Sequence, residues 1–319
     1  MANSPGLLRI GTRGSALALT QAGWVKSQLE AAHPGLTVEL VKIKTTGDKI
    51  TDVPLARVGG KGLFVKEIED ALLDGRVDLA VHSMKDVPAE LPDSLHIAIT
   101  PKREDVRDAL ISRGNVALAG LPQGARVGTS SLRRRAQLLA VRPDLDIIAL
   151  RGNLDTRLRK LAENHFDAIL LASAGLRRMG LAGKISELLD PSLMLPAIGQ
   201  GALGLELRRD DTRTLKLASF LNHAETAVAV LAERTLLARL EGGCQVPIAG
   251  LARLEGGMLR LESLVADLDG QRVVKASGTD RPEAAAELGL RVAEELLAKG
   301  AGEILAEVYG GGMPAPGSA

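Results

Sequence analysis

The 319-residue chain has a single cysteine, Cys244, and five aromatic residues: three Phe, one Trp and one Tyr. One cysteine excludes an intramolecular disulfide, a thiolate metal cluster and CxxC redox chemistry. So few aromatics leave little from which to build a base-stacking platform. Charge of one sign is also lacking, since 40 basic residues face 39 acidic ones for a net +1. Nucleic-acid binding through bulk charge is therefore not expected. No apolar run approaches membrane-spanning length, and Met1–Ile10 lacks the apolar core of a secretion signal. The histidines, at 33, 82, 96, 165 and 223, show neither HExxH nor paired spacing, so no metal site is expected. With 45% apolar residues, core burial is no obstacle, which excludes a wholly disordered chain. The expectation is a soluble, cytoplasmic, monomeric protein of two or three domains.

The order of elements repeats. Leu7–Ser15 reads as strand then polar turn, and helix-forming Ala16–Leu29 follows, closed by His33-Pro34-Gly35. Thr37–Lys44 reads as a second strand. Helical spacing of Leu63, Phe64, Ile68, Ala71 and Leu72 then leads to a buried strand, Val77–Ser83. A similar series starts at Arg126-Val127-Gly128-Thr129-Ser130-Ser131 with the helix Leu132–Val141. It continues through a strand at Asp146–Leu150 and another at Phe166–Ser173. Strands alternating with helices predict parallel α/β architecture, here in two related domains. The loops beyond the strand ends should face one cleft. The remainder differs: an amphipathic helix over Ala224–Glu241, then three short runs separated by Gly256-Gly257 and Asp269-Gly270. These predict a three-stranded antiparallel meander covered by a helix over Arg281–Lys299, with a loose tail from Gly310. The expected domains are 1–101 with 198–219, then 102–197, then 220–319.

Arginine is concentrated. Between Arg126 and Arg178, ten Arg and Lys160 face five acids, a local excess of six positive charges. Any one of these arginines suits a solvated helix face. Arg133 and Arg134, however, lie in the first turn of a helix, where cations oppose the dipole. Such placement makes sense if an anion binds there, and guanidinium forks match carboxylates. Gly59-Gly60-Lys61-Gly62 is no P-loop, because Leu55 and Gly62 occupy its Gly and Ser/Thr positions. His82–Pro88 follows a buried strand, so Asp86 is either half of an ordinary turn ion pair or an acid placed to handle a proton or a developing cation. Cys244, between Gly242-Gly243 and Pro247, is either a small buried hydrophobe or a thiol held out for covalent attachment.

Seven stretches in order resemble the porphobilinogen deaminase (hydroxymethylbilane synthase) family. They are Ile10–Ser15, Gly59–Lys66, Val81–Pro88, Val127–Arg134, Leu150–Asn153 with Thr156–Leu158, Gly199–Ala202, and Leu240–Pro247. The resemblance implies two α/β domains like type II periplasmic binding proteins and a smaller α+β C-terminal domain. It implies a transferase of tetrapyrrole and heme biosynthesis that joins four porphobilinogen molecules head to tail, releasing ammonia from each. The product is linear hydroxymethylbilane, and neither metal nor nucleotide is required. A dipyrromethane cofactor, whose rings carry acetate and propionate groups, would be thioether-linked to Cys244. By the same resemblance Lys85, Asp86, Thr129, Ser131, Arg133 and Arg134 bind the cofactor. Arg13, Ser15, Ser83, Arg151, Arg157 and Arg178 hold substrate and the growing chain, and Asp86 is catalytic. Phe64 and the 45–62 loop are candidates to cover the cleft. Asp155 is unexpected between Arg151 and Arg157, where an acid could pair with either. Arg177, adjacent to Arg178, is an alternative for its role. Two other readings are a non-catalytic two-lobed organic-anion binder, which leaves Cys244 without a task, and a nucleic-acid binder using the Arg cluster.

Overall fold

The computed structural model describes residues 6–49, 65–241 and 246–310. The expected features at Gly59–Phe64, Cys244 and the tail beyond Gly310 lie outside the described residues. The described residues divide into two compact units, one of 6–49, 65–104 and 202–227, the other of 105–201, 228–241 and 246–310.

The first unit is built on a five-stranded sheet of β1 (Leu7–Arg13), β2 (Thr37–Ile43), β3 (Leu79–Ser83), β4 (Leu95–Ile99) and β10 (Leu203–Arg208). The spatial order is β2-β1-β3-β10-β4. β1 runs parallel to β2 and β3, whereas β10 is antiparallel to both its neighbours. Alternation explains the layering. Leu8, Ile10, Leu79 and Val81 pack with Ala22, Val25 and Leu29 of the helix Ala16–Ala32. Ala80 points the other way, into a cluster with Ile68, Ala71 and Leu72 of the helix Lys66–Leu73. Both faces of the sheet are therefore covered, as the continuous apolar runs demand.

The second unit repeats that plan with β5 (Asp108–Ser112), β6 (Arg126–Gly128), β7 (Asp146–Ile148), β8 (Ala168–Ala172) and β9 (Glu187–Leu188), in the order β7-β6-β8-β5-β9. Again three parallel strands precede an antiparallel one. The two α/β sheets thus share one strand order, and the sheets are mixed rather than wholly parallel. Neither β5 nor β10 leads through a helix to a neighbouring parallel strand, so the strand–helix alternation does not reveal them.

The same unit holds the meander of β11 (Ile248–Glu255), β12 (Met258–Ala266) and β13 (Val273–Asp280), paired in sequence as expected. One face packs on the helices Ala224–Arg239, Ala285–Ala298 and Ala301–Gly310, the last of which lies where the sequence reading assigns no element. The opposite face, through Ala249, Leu251, Leu264 and Ala266, meets Ala136 of the helix Leu132–Val141. No helix among the described residues is long and apolar enough to cross a membrane.

The turn between β12 and β13 presses on that helix. Gly270 has φ +69°, and a Cβ there would lie 2.2 Å from the Ala136 carbonyl oxygen and 2.6 Å from the Ala140 nitrogen. Arg135 closes the contact, donating to the Leu268 carbonyl at 3.1 Å and to Asp269 at 2.9 Å. Gly270→Ala is therefore expected to destabilise the protein by more than the ~1–3 kcal/mol of a strained backbone alone. Equilibrium urea unfolding checks this, and a variant with unchanged midpoint would contradict the docking.

Candidate functional site

The predicted site residues of the first unit collect at the carboxyl ends of two parallel neighbours, β1 and β3. Arg13 is the last residue of β1 and is half-buried. Ser15 caps the following helix, its Oγ accepting from the Ala18 amide at 3.3 Å. Ser83 ends β3 and is tied to the buried amide of Gln21, whose Nε2 donates to Ser83 Oγ at 3.0 Å. The chain then makes one turn of 3₁₀ helix, Met84–Asp86. Met84 is buried, and its amide donates to the Ala202 carbonyl at 3.0 Å, while the Val87 amide closes the turn onto Met84 at 3.1 Å. Lys85 and Asp86 are left half-buried on a turn fixed from both sides. Gly204, opposite His82 on β10, leaves room for it: a Cβ there would lie 3.0 Å from Met84 Cε.

Behind this turn lies a buried acid–base group that sequence reasoning missed. His82 Nε2 is 2.9 Å from Glu206 Oε2, with both side chains almost wholly buried. Glu206 Oε1 has no hydrogen-bond partner among the described residues. Burial raises the neighbouring Glu69 carboxyl to about 7; the Glu206 charge adds to the rise and His82 opposes it. His82 reads as a strand residue in sequence, and its partner lies 124 positions away, so only the β3–β10 pairing reveals the group.

The second unit gathers its set in the same way, beyond β6, β7 and β8, which are adjacent in the sheet. Thr129 is buried, and its amide donates to the Ile148 carbonyl at 2.9 Å. Its Oγ1 accepts from the Ser131 amide at 3.2 Å, and Ser131 Oγ in turn caps the helix Leu132–Val141 by accepting from the Arg134 amide. Arg151 follows β7 and is half-buried. Arg157 Nε donates to the Gly152 carbonyl at 2.8 Å. Arg178 Nη2 donates to the Gly201 carbonyl at 2.7 Å, whereas Arg177 pairs with Asp105 at 3.2 Å. Arg178 is thus the half-buried member of that adjacent pair. Asp155 is exposed in the first turn of the helix Leu154–Ala162, where a carboxylate suits the dipole, and takes no ion pair among the described residues.

Arg133 and Arg134 do not lie on a solvated face. They are 4% and 5% exposed and share the fully buried carboxylate of Asp108. Arg133 Nη1 reaches Oδ2 at 2.7 Å, and Arg134 reaches Oδ1 through Nη2 at 2.7 Å and Nε at 3.0 Å. Burial works to raise the Asp108 carboxyl, but the charges of Arg133 and Arg134 outweigh it and hold the group below the usual carboxylate range. Asp108 is the second residue the sequence did not disclose: an acid opening the run Ala109-Leu110-Ile111 was its only signal.

The charge of this stretch is distributed unevenly in space. Arg126 pairs with Asp167, Arg142 with Asp144 and Arg159 with Glu163, all acids of the same stretch, while Arg135 and Arg177 meet Asp269 and Asp105 from outside it. Arg133 and Arg134 form a buried cluster of two guanidiniums and one carboxylate, with net charge +1. The first-turn amides of Leu132 and Arg133, which have no partner within the helix, add to the positive potential. A ligand bearing several carboxylates fits this donor set.

That chemistry is matched by kinship. The family model described as "Porphobilinogen deaminase, dipyromethane cofactor binding domain" matches residues 8–216, and that described as "Porphobilinogen deaminase, C-terminal domain" matches 227–298. The matches define a cofactor-bearing deaminase. The chain belongs to the porphobilinogen deaminase family: it is 59% identical over 306 residues to the porphobilinogen deaminase of Geobacter metallireducens, covering 96% of each chain. It is likewise 59% identical over 310 residues to that of Nitratidesulfovibrio vulgaris, covering 96% of this chain and 98% of the relative. Among solved structures, the periplasmic VFT2 domain of Bordetella pertussis BvgS is similar at 16% identity and TM-score 0.40, covering 74% of this chain and 94% of that one. A likeness of that size carries no argument, and the fold description rests on the shared strand order above.

The Glu69 carboxyl gives a pH prediction. Its folded value, about 7, lies above the ordinary 4.5, so its ionisation opposes folding. Wild type should lose stability relative to Glu69→Gln as pH rises from 4.5 through 7, with the gap constant above. Thermal melts of both proteins between pH 5 and 8.5 test this; a pH-independent difference would contradict it.

Proposed function

We propose that this chain joins four porphobilinogen molecules head to tail into hydroxymethylbilane, releasing ammonia from each, on a dipyrromethane primer thioether-linked to Cys244. The observation that carries the reading is the cofactor-binding family match across residues 8–216, which encloses both the Asp86 turn and the buried arginine pair. A non-catalytic organic-anion binder has no use for either the cofactor domain or Cys244. The working unit is a cytoplasmic monomer whose partners are porphobilinogen and the growing chain, without nucleic acid or membrane. The working domain boundaries are 1–101 with 198–219, 102–197 and 220–319.

The primer, when attached, supplies the free pyrrole position to which the first substrate is joined. In this proposal Arg133 and Arg134 donate charge-assisted hydrogen bonds to its carboxylates, with Thr129, Ser131 and Lys85 completing the set. Arg13, Ser15, Ser83, Arg151, Arg157 and Arg178 hold the carboxylates of substrate and product rings. Their half-burial supports that role, with Arg13, Ser83 and Arg151 at or just beyond strand ends, Ser15 and Arg157 at the starts of helices and Arg178 ending a helix. Asp86 accepts hydrogen bonds from pyrrole N–H groups. Its fixed negative charge stabilises the cation that substrate becomes when ammonia departs, and its carboxylate is placed to take the proton at the ring carbon. A turn anchored through Met84 suits that task, because a preorganised charge needs no rearrangement as the cation forms.

Two variants test the assignment. Asp86→Asn should remain folded and lose turnover by about 10²–10⁴-fold; near-normal hydroxymethylbilane formation would contradict the role. Arg157→Ala should admit early pyrroles and stall elongation, seen as trapped intermediates in an intact-mass ladder after addition of porphobilinogen. Unaltered product with no trapped species would remove Arg157 from the carboxylate set.

A further inference from the structure

Asp108 opens β5 and is wholly buried, yet it carries charge. Three side chains converge on its two oxygens: Arg133 on Oδ2, and Arg134 and Gln200 on Oδ1, the last at 3.0 Å. Each of the three is tied a second time to backbone. Arg133 Nη1 also donates to the Leu195 carbonyl at 2.7 Å, Arg134 Nη1 to the Leu170 carbonyl at 2.9 Å, and Gln200 Nε2 to the Val106 carbonyl at 2.8 Å. Gln137 braces Leu195 from the helix itself, accepting from its amide at 2.8 Å and donating to its carbonyl at 3.0 Å. Two guanidiniums are thereby held at a fixed separation by one carboxylate.

As a device for stability alone this is poorly balanced. A buried ion pair seldom outperforms apolar residues of similar volume, and a second buried cation without its own anion adds a further desolvation cost. The surplus charge becomes useful where a ligand brings the missing anion. A guanidinium has five N–H groups; the bonds above use two of Arg133 and three of Arg134. The remaining donors take no acceptor among the described residues.

We propose that Asp108 is a positioning residue for the cofactor: it sets the spacing and orientation at which Arg133 and Arg134 present their unused N–H groups to the cofactor carboxylates, and by under-neutralising them it leaves the site cationic. This rests on the reading of those two arginines as cofactor holders. Asp108 itself touches no ligand in this arrangement. Its effect passes through the guanidiniums, so its loss should impair capture of the primer more than it impairs the fold.

The test is the fraction of purified full-length protein carrying the mass of two linked pyrrole units, measured by intact-mass spectrometry for wild type, Asp108→Asn and Asp108→Glu, with circular dichroism and thermal melts alongside. Asp108→Asn keeps the side-chain shape and one acceptor. It is expected to melt cooperatively at a lower temperature and to show at least a tenfold smaller loaded fraction. Asp108→Glu keeps the charge but moves it by one methylene, and an intermediate fraction is expected. A folded Asp108→Asn protein loaded to the wild-type level would overturn the proposal and make Asp108 a core bridge only. Should the Asn variant fail to accumulate, wild-type loading of Asp108→Glu would overturn it equally, because displacing the carboxylate would then not matter. A wild-type protein with no adduct would instead sink the underlying reading of the site.

Discussion

One buried carboxylate organises the second unit. Asp108 draws Arg133 and Arg134 inward from the first turn of the helix Leu132–Val141 and ties them to the start of β5. Nothing else explains why two consecutive arginines at a helix N-terminus are less than one-tenth exposed. Taking one partner from such a cluster typically costs about 3–5 kcal/mol, because the charges left behind remain out of water. The helix has little freedom elsewhere. Its start is capped by Ser131, its Gln137 grips Leu195, and its Ala136–Ala140 face carries the Gly270 turn. The meander that follows Cys244 in sequence thus packs on the helix that bears the arginine pair.

The first unit applies the same plan with a different chemical result. There the antiparallel strand is β10, and its contribution beneath the strand ends is the buried Glu206 beside His82. In each unit an acid on the antiparallel strand meets a base brought by an element next to it in space: arginines in one, a histidine in the other. The outcome differs because Asp108 is outnumbered and leaves a cationic site. Burial drives the Glu69 carboxyl upward, and the nearby Glu206 charge adds to the rise. Asp86 stands on the turn after His82, held to β10 by backbone hydrogen bonds, so its position depends on the ladder rather than on side-chain pairing.

Much of this was legible in the sequence where local signals act alone. The helix Leu132–Val141 was read to the residue, and the meander was recovered from its Gly256-Gly257 and Asp269-Gly270 turns, because caps and tight turns are short-range features. The strands β4, β5 and β10 were not read. Each is five or six residues long; β5 sends apolar side chains to both faces, a pattern that short buried helices share, and β10 finds its partners only after the chain has returned from the second unit. The arginine cluster was visible as a count but not as a geometry. Arg126, Arg135, Arg142 and Arg159 contributed to the excess in sequence, yet each meets an acid in space. Asp108 and Glu206 escaped notice for one reason: a charged residue in an apolar run shows its partner only after the chain has folded.

If the buried arginine pair serves a covalently held, carboxylate-rich primer, peptide-mapping mass spectrometry of the native protein tests it most directly. The account expects the peptide containing Cys244 to be heavier by two linked pyrrole units, with every other peptide unmodified. A Cys244 peptide that is bare in the purified protein and stays bare after incubation with porphobilinogen would contradict it.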